Sequence, residues 1–269
     1  MTGATNETSE ESPTRAGTRR ARTRPRRRAS FFGVFGELLI TVGVVTLLYV
    51  SWQLWIGDMI YGAERNAAGH ELSQQWQDDY LAQPDATAAP DATAAAPTTT
   101  DPVILPEPAD AQIFGTMLIP RFGSDYNVSI AGGVTRSGTL DPIGIGHYPG
   151  TKMPGEAGNF AVAAHRTTWG KPFNRIADLH VGDAIVIETA DGWYTYRFRT
   201  LEYVPPTAVE VLLPVPQVTG APAGERYMTM TSCSPMYAMS ERIVAYSVFE
   251  SYTPRSSGPP QSLTEGVTT

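Results

Sequence analysis

The chain has 269 residues, enough for one ordinary domain with appendages and too few for two full domains. Only 17% of residues are charged and 42% are apolar, with 22 Pro and 25 Gly, a profile that suits a turn-rich β domain joined to unstructured pieces. A single cysteine, Cys233, excludes any internal disulfide, and the formal net charge of −7 conceals a strong asymmetry.

Residues 1–30 lack apolar content and read as a disordered basic tail. Eight arginines fall between Arg15 and Arg28 with no acidic residue among them, whereas from Gly57 onward 12 Lys and Arg face 23 Asp and Glu. Directly after the arginines comes FFGVFGELLITVGVVTLLYVSWQLWIG. Residues 38–56 of it carry no charge, and as a helix they span about 29 Å, the thickness of a hydrocarbon core. Trp52 and Trp55 fall at the far end, where amphipathic rings favour the membrane interface. The run is too apolar for an ordinary buried helix, and too long for a cleavable signal peptide without an A-x-A site directly after it. A transmembrane helix over 31–57 is therefore expected, with the N-terminus cytoplasmic and the rest of the chain outside a cell membrane crossed once. Beside such a span, the arginine run is better explained by topology and anionic lipid than by nucleic acid.

Residues 58–108 read as a spacer. MIYGAERNAAGHELSQQWQDDYLAQ has the composition of a polar helical stalk, and PDATAAP followed by PDATAAA is a Pro/Ala/Thr-rich near-repeat without the makings of a core. Residues 253–269, TPRSSGPPQSLTEGVTT, read as a disordered tail, which leaves one domain over 109–252. Within it the period is mostly two. QIFGTMLIPRF, YNVSIAGGV, NFAVAAH, RYMTMTSC and RIVAYSVFESY read as strands, and DAIVIETADGWYTYRFRTLEYV as a hairpin turning at Asp191-Gly192. Short helices are expected in the loops, and the fold class is mainly β, a closed or nearly closed barrel.

Strand parity places Met228 and Met230 on the core face of RYMTMTSC and Tyr227, Thr229, Thr231 and Cys233 on the other. In NFAVAAH, His165 likewise lies opposite Phe160 and Val162. Arg242 opens the strand after Cys233, and if the two strands are antiparallel neighbours it lies close to the thiol. A thiol, an imidazole and a guanidinium are what thiol-based acyl transfer needs: a nucleophile, a proton carrier and a stabiliser of the oxyanion. Parity alone leaves a catalytic thiol and a structural cysteine both open.

HYPGTKMPGEAGNFAVAAHRTTWGKPF, TMTSCSP and SERIVAY resemble the sortases, cysteine transpeptidases of Gram-positive cell surfaces, over about residues 110–252. The HYPGT, GNxAVAAHRTT and TCxP-like motifs are most similar to class E, the housekeeping type of high-GC actinobacteria. The resemblance places the family's catalytic residues on His165, Cys233 and Arg242. The threonine usual before the cysteine is Ser232 here, and the glycine usual before the histidine is Ala164; neither departure removes a reacting group. The resemblance implies an eight-stranded sortase β barrel. It also implies cleavage of a Leu-Pro/Ala-x-Thr-Gly-type sorting signal between Thr and Gly through a thioacyl-enzyme. The partners it implies are sorting-signal-bearing surface proteins and the amine of a lipid II-type peptidoglycan precursor. Thr231, Tyr148 and His147 are expected near the peptide groove, His147 with a turn-stabilising role as the alternative. No metal or cofactor is expected, since no histidine and acidic pair has ligand spacing. The chain has no sorting motif of its own, so it reads as enzyme and not substrate. The competing readings are an anchored barrel that has lost its chemistry, and a thiol peptidase that ends the same intermediate in water.

Overall fold

The computed structural model describes residues 30–52, 57–83 and 101–264. The basic tail up to residue 29, the far end of the apolar run with Trp55, the PDATAAP repeat and residues 265–269 lie outside the described residues. The chain divides into two compact units, residues 1–48 and 49–269.

Helix α1, Phe31–Ser51, is long and apolar enough to cross a membrane, and none of its side chains is buried by protein. Thr41 and Thr46 donate their hydroxyls to the carbonyls of Glu37 and Val42, four residues back, at 2.8 Å each. Even its internal hydroxyls are thereby satisfied without water, as a lipid environment requires.

Helix α2, Gly57–Leu81, is the polar segment expected to be a stalk. It is helical, but it lies docked against the second barrel strand. Gly69 is the closest point: a Cβ there would sit 2.2 Å from the Asn127 carbonyl oxygen. Polar pairs flank it. Asn127 donates its backbone N–H to Asn66 Oδ1 at 3.2 Å and its Nδ2 to Ser73 Oγ at 3.0 Å, and Ser73 Oγ donates to Glu188 Oε2 at 2.7 Å. His70 Nε2 sits 3.1 Å from the Asp125 carbonyl.

The barrel comprises β1 Ile113–Leu118, β2 Asn127–Gly132, β3 Ile145–His147, β4 Gly158–Ala164, β5 Ala184–Glu188, β6 Gly192–Val204, β7 Arg226–Ser234 and β8 Glu241–Pro254. It closes in the order β1-β2-β3-β4-β7-β8-β6-β5, so no strand edge is left open. Six pairings are antiparallel, as expected, but β2/β3 and β4/β7 are parallel. Met117, Ile130, Phe160, Tyr194, Tyr196 and Met228 are completely buried in the core. The β5–β6 hairpin turns where expected: Gly192 has φ +155, and the Thr189 N–H donates to its carbonyl at 2.9 Å.

The expected disordered tail from Thr253 is corrected for residues 253–264. Strand β8 runs on to Pro254, and short helical turns follow at Arg255–Ser257 and Gln261–Leu263. The reason is Arg255, which is 3% exposed. It pairs with buried Glu188 at 2.9 Å, donates Nε to the Ala190 carbonyl at 2.8 Å and stacks over Trp193 at 4.6 Å. Upstream of β1, residues 101–108 are likewise packed. Tyr194 donates its hydroxyl to the Val103 carbonyl, and the Gly150 N–H donates to Glu107 Oε1 at 2.6 Å.

Candidate active site

The parallel pairing of β4 with β7 builds the site. Ala163 stands level with Thr231, so two residues further along each strand the chain delivers His165 and Cys233 to the same end of the barrel. Ser232 Oγ donates to the Ala164 carbonyl at 2.7 Å, carrying the pairing to its last rung; the serine performs the hydroxyl's part without the missing methyl. Strand β8 then returns antiparallel to β7 and sets Arg242 directly opposite Cys233. His165, Cys233, Arg242, Tyr148 and Thr231 all line one groove of about 540 Å³, with exposed Tyr237 and Met239 at its lip. That volume falls in the range of small-ligand sites.

Cys233 is a half-buried free thiol. The Arg242 guanidinium donates Nη1 to two carbonyls of its own loop, Glu241 at 2.9 Å and Met239 at 3.3 Å. The hydroxyls of Tyr148 and Thr231 meet at 2.9 Å across the groove.

His147, expected either near the peptide groove or as a brace of its turn, does not line this groove. It is 1% exposed and stacks on Phe160 with ring centroids 5.4 Å apart. Its Nε2 lies 3.1 Å from the Lys152 carbonyl and 3.0 Å from Thr151 Oγ1, so it braces the turn after β3. Burial, partly offset by the Lys152 carbonyl, holds its pKa below the ordinary imidazole value.

Two residues that the sequence reading missed complete the site. Asp141, on the connection between β2 and β3, accepts a hydrogen bond from His165 Nε2 on its Oδ1 at 2.6 Å, with Arg136 Nε 3.7 Å from the same oxygen. The pair is 24 residues apart in sequence, and Asp141 lies in a stretch that reads as turns with one short helix. Arg166 is 7% exposed and donates Nη1 to the Cys233 carbonyl at 3.3 Å, fixing a cation behind the thiol-bearing strand end. Its place directly after His165 was the available signal.

A family model described as Sortase domain matches residues 117–250. The chain is 34% identical over 234 residues to sortase SrtE1 of Streptomyces coelicolor, an alignment covering 85% of this chain and 60% of that protein. It is 32% identical over 233 residues to sortase SrtE2 of the same organism, covering 84% of this chain and 85% of that protein. Among solved structures, it is similar to sortase E1 from Streptomyces coelicolor with a tripeptide in the active site. That match has 36% identity and a TM-score of 0.53, and covers 58% of this chain and 99% of the other.

Proposed function

The chain belongs to the sortase family, and from that premise we propose that it is a membrane-anchored cysteine transpeptidase that cleaves a Leu-Pro/Ala-x-Thr-Gly-type sorting signal between Thr and Gly. In this reading the Cys233 thiolate attacks the threonine carbonyl, and the Arg242 guanidinium stabilises the oxyanion of the tetrahedral intermediate. Collapse breaks the Thr–Gly bond, and His165 delivers a proton to the departing glycine amine. The thioester on Cys233 is then attacked by an amine of a peptidoglycan precursor, which restores the thiol and leaves the surface protein joined to the wall. With Nε2 committed to Asp141, Nδ1 is the imidazole nitrogen left to exchange the proton. Tyr148 and Thr231 flank the peptide.

The observation that carries this reading is the meeting of Cys233, Arg242 and His165 on one groove, the first two from neighbouring strands and the histidine from a strand end far away in sequence. The helix α1, with arginines before it and acidic excess after it, supports an N-terminus in the cytoplasm and a barrel outside. The test is mass spectrometry of the full-length chain with a sorting-signal peptide. A thioacyl adduct on Cys233 is expected, converted to a ligated product when a diaminopimelate-type or oligoglycine amine is added. Hydrolysed peptide alone, with the amine present, would overturn transpeptidation in favour of a peptidase. A missing adduct at Cys233 would overturn the thiol chemistry altogether.

A further inference from the structure

Midway along α2, Arg65 is 8% exposed. Its Nη2 donates to the backbone carbonyl of Asp141, and its Nε and Nη1 are buried with no hydrogen-bond partner among the described residues. An arginine held in this way contributes less to docking than an apolar side chain of similar length. Anchoring alone therefore does not account for it.

The walls around Arg65 are shaped to admit it. A Cβ on Gly144, at φ +129, would lie 2.8 Å from Arg65 Nη1, and one on Gly170, at φ +75, would lie 3.0 Å from its Cδ and Nε. Gly144 ends the connection that carries Asp141. Gly170 belongs to the loop that leaves His165, whose carbonyl accepts the Phe173 N–H at 3.0 Å. On that same loop the Trp169 ring packs against Tyr61 of α2, centroids 5.7 Å apart. Both segments that hold the imidazole thus close on one side chain of the docked helix. Asp141 joins them: its carbonyl is held by Arg65, and its carboxylate accepts from His165 Nε2.

We propose that Arg65 and Asp141 are positioning residues for His165, so that docking of α2 sets the orientation and tautomer of the groove's imidazole. This rests on the reading of His165 as the proton carrier. Residues 136–144 keep their own turn bonds without the helix, such as Asp141 N–H to the Arg136 carbonyl at 2.7 Å and Ile143 N–H to the Thr139 carbonyl at 2.9 Å. What Arg65 adds is the tie that holds the carboxylate at one distance from the ring. Outer residues that orient a working imidazole are worth about 10–100-fold in activity where they have been removed from metal sites, and the same geometry operates here.

The experiment combines kinetics with a readout that needs no turnover. In the full-length chain in lipid nanodiscs, Asp141→Asn lowers kcat for peptide cleavage by about 10–100-fold with KM little changed. Arg65→Met lowers kcat by roughly 3–10-fold, and Arg65→Lys recovers part of the loss by restoring a donor. In the Asp141→Asn background Arg65→Met has little further effect, because both act through one contact. With histidine-labelled protein, the Nε2–H proton of His165, assigned with His165→Gln, is protected from exchange in the wild type. That protection is lost in Asp141→Asn and weakened in Arg65→Met. Ser73→Ala, which removes an α2 contact away from Arg65, leaves both readouts unchanged; should Arg65→Met unfold, Arg65→Gln serves in its place. Wild-type kcat and an unchanged His165 proton in a folded Arg65 variant would overturn the proposal, as would fully multiplicative losses in the double variant. If the proton signal follows the substitutions while His165→Ala still cleaves peptide, the linkage stands and the catalytic reading of His165 falls.

Discussion

Two clusters of charged and polar groups sit in this barrel under opposite conditions. Around Arg255, every group is committed: the guanidinium donates to Glu188, to the Ala190 and Thr189 carbonyls and to Gln77, while Glu188 also accepts from Ser73. Both members of the ion pair are nearly solvent-free, 2% and 5% exposed in their side chains. For two groups at the groove, Arg242 and Cys233, the opposite holds. Among the described residues, the Arg242 guanidinium donates only to carbonyls of its own loop, and Cys233 presents a half-buried thiol. A saturated buried pair holds a fold, because losing either member strands the other. Groups with unused donors at an open surface are placed to meet charge that arrives with a substrate.

Substitutions separate these two roles. Cys233→Ala has the largest effect: no covalent adduct with a sorting-signal peptide forms, read by intact-protein mass spectrometry. Arg255→Met leaves Glu188 buried without its cation and costs about 3–5 kcal/mol of stability, lowering Tm by on the order of 10 °C, while turnover per folded molecule is kept. Arg242→Ala does the reverse. Turnover falls roughly 10²–10³-fold, with Tm held to within about 3 °C of the wild type in the same melting assay; a large drop in Tm would place Arg242 with Arg255. His147 gives a smaller, pH-dependent signal. Burial lowers its pKa below 6.5, so protonation favours the unfolded chain. Its contribution is complete above that pH and declines as pH falls below it. Melting curves from pH 8 down to pH 5 should therefore fall less steeply in His147→Gln, and equal slopes would count against the assignment. Smallest of all, Ser232→Thr restores a methyl beside a hydroxyl that already meets the Ala164 carbonyl, and steady-state rates change by less than about threefold.

What the sequence disclosed follows the range of each interaction. The apolar run of α1, the face shared by Met228 and Met230 and the turn at Asp191-Gly192 are local patterns. So is the approach of Arg242 to Cys233, because β7 and β8 are joined by a short loop. His165 comes to the same groove as the thiol through the parallel β4/β7 pairing, which joins residues 68 apart and leaves no periodic trace; here the family motifs supplied what the pattern did not. The docking of α2 was hidden because it uses glycine, serine and asparagine in place of an apolar stripe, so hydropathy reads it as a free stalk. Arg255 misled in the same way: set among Pro, Ser and Gly, it gave no hint that a buried carboxylate awaited it. His147 sits in a motif that points toward the groove, yet its ring turns inward onto Phe160.

The shared direction of β4 and β7 bears on which insertions the molecule tolerates. Within the connection at 205–225, the Val211 and Glu225 carbonyls accept from Asn159 and Gly158 of β4, but the turn at Val218–Gly220 is exposed, so residues added at that turn lengthen a loop and leave the chemistry aligned. One residue added within 160–164 rotates the following side chain to the opposite side of the sheet and sends the imidazole inward. Length is free at that exposed turn and fixed inside the two strands, which is the constraint any redesign of this scaffold inherits.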